Sequence, residues 1–159
     1  WTNGSYENLI NQVFKVGGGH PGYDWPGLQS TYSGNPGTAN TSGTFTETVD
    51  TNNNNYYGSA IQLTMPYSLL LKQVQIQSSE NDKNFPNLVA LLGSNDGGTT
   101  FDFIVSGNFS SYSQYNIETI TPTITNTTVY STIRMVIQSF HGSGGSSVLE
   151  YFNLIGDVY

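Results

Sequence analysis

The chain lacks cysteine altogether and carries little charge. Because none of its 159 residues is cysteine, disulfides, zinc–thiolate sites and thiol nucleophiles are excluded. Only 9% of the residues are Asp, Glu, Lys or Arg, against about 25% in typical globular proteins. Such a surface is polar but weakly self-repelling. We expect glycans or neighbouring subunits to occupy part of it, with a bland secreted surface as the alternative.

Basic residues and long apolar runs are also scarce. The net charge is −7, and the basic residues form no run: Lys15, Lys72, Lys83 and Arg134. Binding a phosphate backbone needs clustered cations, so the sequence excludes nucleic acid as a partner. No apolar run has the length of a membrane span. The chain begins at Trp1 without a signal peptide, and we expect a mature product or a fragment.

Sequons for N-linked glycans point to an extracellular location, secreted or surface-exposed. Four N-x-Ser/Thr tripeptides occur, beginning at Asn3, Asn40, Asn108 and Asn126. In a chain so rich in Asn, Ser and Thr, some of them arise by chance. Asn108 follows a predicted strand and a glycine, which is an exposed place suited to a glycan. The sequence therefore predicts a glycoprotein.

Alternation of apolar and polar residues predicts the strands. The stretch LLGSNDGGTTFDFIVSG indicates a hairpin, because Asn95-Asp96-Gly97-Gly98 tolerates the left-handed angles of tight turns. In LLLKQVQIQ the alternation slips by one residue around Lys72, which predicts a β-bulge or a corner. Further strands are predicted in GTFTETV, IQLTM, YNIETITPTIT, STIRMVIQS and VLEYFNLIG. About eight strands, a loop-rich N-terminal region and no linker predict one all-β domain, residues 1–159, folded as an antiparallel β-sandwich or jelly roll.

Four segments resemble discoidin-type domains, and they follow one another along the chain in the order that those domains have. That superfamily includes the C-type domains of coagulation factors and many carbohydrate-binding modules. The segments are SAIQLTMPYSLLLKQVQI, FPNLVALLGSNDGGTTFDFI, YSTIRMVIQS with Arg134 at the Arg position, and LEYFNLIG with Glu150 at the acidic position. The resemblance covers residues 57–156. It implies a galactose-binding-like jelly roll that displays a binding site.

The same resemblance bears on metals. The first loop of the family usually carries Asp-Gly-Asn ligands for calcium, whereas the nearest stretch here is VGGGHPGYDW. We therefore expect no cofactor, and Glu150 alone is retained as a metal-ligand candidate for a structural calcium. The stretch DTNNNNYYGSAI is not an EF-hand, because Asn55 stands where Gly is needed and Ile61 where the bidentate Glu should be.

Enzymatic chemistry is not indicated. Both histidines, His20 and His141, lie in Gly-rich loops, and no Gly-x-Ser-x-Gly nucleophile elbow occurs. The carboxylates Glu80 and Asp82 are more simply explained as a solvated loop than as an acid/base pair. We therefore predict that the protein is not an enzyme.

Loop aromatics are the better functional signal. Tyr23 and Trp25 flank Asp24 in HPGYDWPG, next to His20. An aromatic ring can stack on a sugar while a carboxylate and an imidazole bond its hydroxyls. The predicted ligand-binding residues are His20, Tyr23, Asp24, Trp25 and His141. The alternative is that such rings pack between strands, as we expect for most of the other tyrosines.

Two functional hypotheses follow. The first is a self-assembling structural subunit of an extracellular fibre, appendage or shell, with copies of itself as partners. In it, residues 1–16 form an N-terminal arm that adds to a neighbour's sheet edge. The alternative is a lectin-like module that recognises cell-surface or matrix glycans. The sparse charge favours the subunit, which we rank first from the sequence.

Overall fold

The fold is all-β and antiparallel. The computed structural model describes residues 46–78, 86–109, 117–139, 141 and 149–159, among which there are seven strands and no helix. The strands are β1 (Thr46–Val49), β2 (Asn55–Ser78), β3 (Leu88–Ser94), β4 (Asp102–Asn108), β5 (Ile117–Thr119), β6 (Tyr130–Ile137) and β7 (Leu149–Val158). Every pairing between them is antiparallel. The predicted class is confirmed. Residues 1–16, the predicted arm, lie outside the described residues.

The long strand β2 belongs to both halves of a curled sheet. Its first half pairs with β1 and β6, and its second half pairs with β5 and β7. The pairing register shifts between Thr64 and Leu69, and again between Leu71 and Gln73. Such irregularities bend a strand and increase its twist, which lets one strand pass from one layer to the other. The slip predicted around Lys72 is confirmed.

One main apolar core fills the space inside the curl. Both halves of β2 contribute to it, with Ile61 and Leu63 from the first half and Val74 and Ile76 from the second. Leu91 of β3 is fully buried in the same core. Because burying an aliphatic side chain contributes about 1.5–3 kcal/mol, this core supplies most of the favourable free energy of folding.

The hairpin between β3 and β4 has the turn that its sequence predicts. Gly97 and Gly98 have φ angles of 74° and 91°, which L side chains rarely adopt. The carboxylate of Asp96 organises the turn by accepting hydrogen bonds from the backbone N–H and the hydroxyl of Thr100 and from the hydroxyl of Ser94. These bonds, led by the backbone N–H of Thr100, hold the pKa of Asp96 well below its usual range.

Candidate functional site

The sheet has an outer face, turned away from the main core, with a second and smaller apolar cluster. Two rows of residues cross β2, β6 and β3 on this face: Ala60, Val136 and Ala90, then Gln62, Arg134 and Leu92. Phe101 is buried in the cluster, and Tyr56 packs against it. The outer face therefore combines a narrow apolar floor with polar groups beside it.

Arg134 is held on the outer face by neutral partners. Its Nε and Nη2 atoms donate to Oε1 of Gln62, and Nη1 donates to Oγ1 of Thr48 at 3.0 Å. The guanidinium carbon lies 4.1 Å from the centroid of the Phe101 ring, a cation–π arrangement. Burial lowers the pKa of Arg134, yet an arginine remains charged at neutral pH. These contacts connect β1, β2 and β6, so Arg134 acts as a structural brace.

Residues 50–54, the turn between β1 and β2, form what we call the asparagine loop. It is built around the carboxylate of Asp50, whose Oδ1 atom accepts hydrogen bonds from the backbone N–H groups of Asn52 and Asn54, both at 2.9 Å. Oδ2 accepts the side-chain amide of Asn54 at 2.9 Å and the hydroxyl of Tyr56 at 3.0 Å. Asp50 is buried, so the carboxylate fixes the loop from beneath.

The geometry of this loop leaves the side-chain amides of Asn52 and Asn53 in solvent, whereas that of Asn54 donates to Asp50. Asn53 has a φ of 63°, a left-handed angle that Asn tolerates better than most residues. The exposed residues of the loop are Thr51, Asn52, Asn53 and Asn54. The hydrogen bonds that Asp50 accepts, first from the side chain of Asn54, lower its pKa. Asp50 is therefore a stable anion at neutral pH, and the loop is preorganised.

A stacked aromatic pair, of which one ring is exposed, lies beside the asparagine loop. The backbone N–H of Thr51 donates to the carbonyl of Phe101 at 2.8 Å, and its hydroxyl donates to Asp102 at 2.8 Å. These bonds attach the loop to the start of β4, where Phe103 stacks on Tyr56 with centroids 5.7 Å apart and planes at 6°. Phe103 is 41% exposed. We call Tyr56, Phe103 and the asparagine loop the aromatic–amide site.

The chemistry of the aromatic–amide site suits binding. One ring offers an apolar surface, and the amides beside it can both donate and accept hydrogen bonds. Burial, followed by the hydrogen bond to Asp50, raises the pKa of Tyr56 to about 12, so its hydroxyl keeps its proton at neutral pH. Both oxygens of Asp50 already accept bonds from the loop or from Tyr56. The site therefore holds a fixed polar network rather than a group prepared for proton transfer.

The ligand residues predicted from the sequence are not tested. His20, Tyr23, Asp24 and Trp25 lie outside the described residues, so that site stays a prediction. His141 is exposed, and its Nε2 atom lies 2.8 Å from the carbonyl oxygen of Phe109. A ring nitrogen engaged with the backbone in this way explains the position of the imidazole.

The metal ligand predicted from the sequence is not tested either. Glu150 lies in β7, and its proposed role stays a prediction. Among the described residues, no group of three or more His, Asp or Glu could hold a metal ion. In the same part of the chain, no helix has the length and hydropathy needed to cross a membrane.

The asparagines of two of the four sequons lie among the described residues. Asn3 and Asn40 lie outside the described residues. Asn108 is the exposed last residue of β4, and Asn126 is half-buried between β5 and β6. Whether any of them carries a glycan stays a prediction.

The aromatic–amide site was missed from the sequence. The pattern of DTNNNN predicts a loop and no more, and Tyr56 fits either a sugar-stacking ring or, as we expect for most of the tyrosines, a packing residue. Phe103 lies almost fifty residues later in the chain and was counted as part of a strand. The available signal was four consecutive asparagines directly before a Tyr-Tyr pair, which places amides and an aromatic ring at one end of a strand.

Comparisons with known proteins identify the fold but neither a family nor a function. No family model matches the chain, and no curated protein matches it. Among solved structures, the C-terminal domain of a chitobiase from Bacteroides fragilis is similar, with a TM-score of 0.52 and 19% sequence identity. The match covers 64% of this chain and 64% of that one. At this identity the likeness shows the all-β sandwich fold alone, and membership of the discoidin superfamily is not confirmed.

Proposed function

We propose that this chain is an extracellular, non-catalytic carbohydrate-binding module that contacts glycans through the aromatic–amide site. The observation that carries the proposal is the exposed ring of Phe103, stacked on Tyr56 beside a loop of fixed and exposed amides. The occurrence of a similar fold in a chitobiase supports the same class of ligand.

A sugar can use both parts of this site. The C–H groups of a pyranose pack on the free side of the Phe103 ring, while its hydroxyls exchange hydrogen bonds with the side-chain amides of Asn52 and Asn53. The loop keeps its shape without a ligand because Asp50 fixes it. Binding therefore costs little ordering of the protein.

The test is a glycan-array screen of the wild-type chain and of Phe103→Ala. We expect the wild type to bind a defined set of glycans and Phe103→Ala to lose about tenfold or more in affinity, equivalent to roughly 1.4 kcal/mol. Val49→Ala is the matched control, because Val49 is also exposed, at 44%, but is aliphatic. It should bind as the wild type does.

Trp25→Ala in the same screen separates the two candidate sites. Loss of binding in Trp25→Ala together with full binding in Phe103→Ala would assign recognition to the loop that contains His20, Tyr23 and Asp24. A wild-type chain that binds no glycan would contradict the proposal altogether.

The self-assembling subunit takes second place. Its support remains the sparse charge of the sequence, and the arm on which it depends, residues 1–16, lies outside the described residues. Sedimentation velocity at high protein concentration tests it, because a chain that stays monomeric there does not build a fibre or shell.

A further inference from the structure

The two sequon asparagines among the described residues, Asn108 and Asn126, differ in how their side chains are placed. Asn108 ends β4, an edge strand of the sheet. Its backbone N–H donates to the carbonyl of Thr121 at 2.8 Å, and its own carbonyl accepts the N–H of Thr121 at 3.0 Å. The side chain is exposed, with Nδ2 donating to Oδ1 of Asn87 at 2.9 Å. The backbone is therefore fixed, while one of the two Nδ2 hydrogens remains free for replacement.

Asn126 has the oxygen of its side-chain amide enclosed by the protein. Its Nδ2 atom donates to the carbonyl of Thr128 at 2.7 Å. Its Oδ1 atom is buried and has no hydrogen-bond partner. The oxygen of this amide therefore points into the protein, and the bond to Thr128 keeps it there.

The geometry of a glycosylated amide predicts that the two asparagines differ in whether they can carry a glycan. A glycan on Nδ2 makes a secondary amide, and secondary amides are almost always trans. In that form, the carbon attached to nitrogen lies on the same side of the C–N bond as the oxygen. The first sugar on Asn126 would thus be directed toward the enclosed Oδ1 atom, whereas the exposed side chain of Asn108 meets no such barrier.

We propose that Asn108 carries an N-linked oligosaccharide and that Asn126 remains unmodified. The donor is an oligosaccharide activated as a lipid-linked diphosphate, presented by a transferase. A bond forms between Nδ2 of Asn108 and C1 of the sugar, the bond between C1 and the diphosphate oxygen breaks, Nδ2 loses one proton, and the lipid diphosphate leaves.

The oligosaccharide has a physical role at this position. Among the described strands, β4 lies at an edge of the sheet, and its end at Asn108 is bridged to Thr121. An open edge is a template for pairing with another chain, and β4 carries a single charged residue, Asp102. A glycan at the end of β4 blocks the approach of a second edge. It also supplies hydration that the sparse surface charge does not. The inference rests on an extracellular location and is independent of glycan binding by the aromatic–amide site.

The experiment produces the full chain through the secretory pathway of a glycosylating eukaryotic host. Cleavage after Glu118 separates the two sequons into different peptides. Peptide N-glycosidase in ¹⁸O-water then converts each glycosylated asparagine into labelled aspartate. Mass spectrometry should find the label at Asn108 and none at Asn126. An unlabelled Asn108, or a labelled Asn126, overturns the proposal.

Ser110→Ala is the matched variant, because it removes the sequon and retains the hydrogen bond between Asn108 and Asn87. It should lose the label at Asn108 and show more self-association than the wild type in sedimentation velocity at high concentration. Thr128→Ala, which removes the other sequon, should leave the glycan mass unchanged. Identical sedimentation of Ser110→Ala and the glycosylated wild type would overturn the protective role.

Discussion

The two faces of the sheet formed by β2, β6 and β3 use neighbouring residues of the same strands in different ways. On the inner face, Ile61, Met135 and Leu91 form one row of fully or nearly fully buried apolar side chains. The adjacent row, one residue away on each strand, lies on the outer face and has Gln62, Arg134 and Leu92 in register.

The inner face therefore serves stability, and the outer face serves recognition. The inner face encloses its side chains completely, so every atom there contributes through burial and packing. The outer face keeps a small apolar floor but adds a braced cation, a fixed amide loop and a ring that is open to solvent. Substitutions on the inner face should therefore unfold the protein, whereas substitutions at the aromatic–amide site should change what it binds.

The largest expected effect is that of Leu91→Ala. Leu91 is fully buried, so its truncation loses transfer free energy and leaves a cavity. We expect the free energy of unfolding to fall by about 2–5 kcal/mol, measured by urea unfolding. Phe103→Ala, on the outer side, should cost about 1 kcal/mol, the loss of one stacked pair. Equal losses in the two variants would remove the contrast between the faces.

Gly93→Ala should have the next largest effect. A Cβ atom at Gly93 would lie 2.3 Å from two ring atoms of Tyr130, which is closer than two non-bonded carbon atoms can approach. Overpacking of this kind costs about 1–3 kcal/mol, readable in the same urea titration. Gly97→Asn is the control, because Gly97 has open space around it and Asn tolerates its positive φ. A Gly93→Ala variant as stable as the wild type would show that the ring can move aside.

Asp50→Asn should have a smaller effect that depends on pH. The folded-state pKa of Asp50 lies below its ordinary value of 3.8, and that of Asp96 is lowered too. A lowered pKa contributes stability that is present above the ordinary value and is lost as pH falls through the folded-state value. The wild-type Tm should therefore decrease as the pH is lowered beyond about 4. Asp50→Asn should have a lower Tm at pH 7.

The same titration of Tm from pH 7 to pH 2 provides the control within one experiment. Because Asp50→Asn no longer has this carboxylate to protonate, its Tm should decline less steeply with acid than that of the wild type. A decline that is equally steep in both proteins would mean that the asparagine loop contributes nothing to acid sensitivity.

The smallest expected effect is a gain in Gln62→Glu. The new carboxylate would receive the two N–H groups of Arg134 that Gln62 now accepts. Exposed ion pairs contribute about 0–1 kcal/mol, and this gain should shrink in 1 M salt because screening is then strong. Combining the change with Arg134→Met, which removes the cation, in a double-mutant cycle isolates the pair. A loss of stability on Gln62→Glu would show that the neutral partners of Arg134 hold it better than an ion pair does.

The sequence predicted those parts of the fold that depend on local pattern. The hairpin at Gly97 and Gly98 followed from turn chemistry, and the bulge near Lys72 followed from a slip in alternation. However, alternation predicts two strands, IQLTM and LLLKQVQIQ, where β2 is continuous. Pro66 lies where the pairing between β2 and β6 shifts register, and a proline is tolerated in a strand at such an irregularity.

The aromatic–amide site could not be predicted in the same way. It is assembled by contacts between residues far apart in the chain, such as the hydrogen bond between Thr51 and Asp102, which are separated by 51 positions. Alternation assigns Phe103 to a strand but does not tell which strand end lies next to it. Only the register of the sheet brings the ring of Phe103 against Tyr56 and the asparagine loop.

The passage of β2 through both layers has a consequence for how the molecule opens. Four of the other six described strands, β1, β5, β6 and β7, take hydrogen bonds from this one segment. Neither layer can detach while the other stays intact, because both would release the same backbone. Amide protons in the two paired halves of β2, on either side of the register shift between Thr64 and Leu69, should therefore exchange with deuterium only when the whole domain unfolds, as a single cooperative unit.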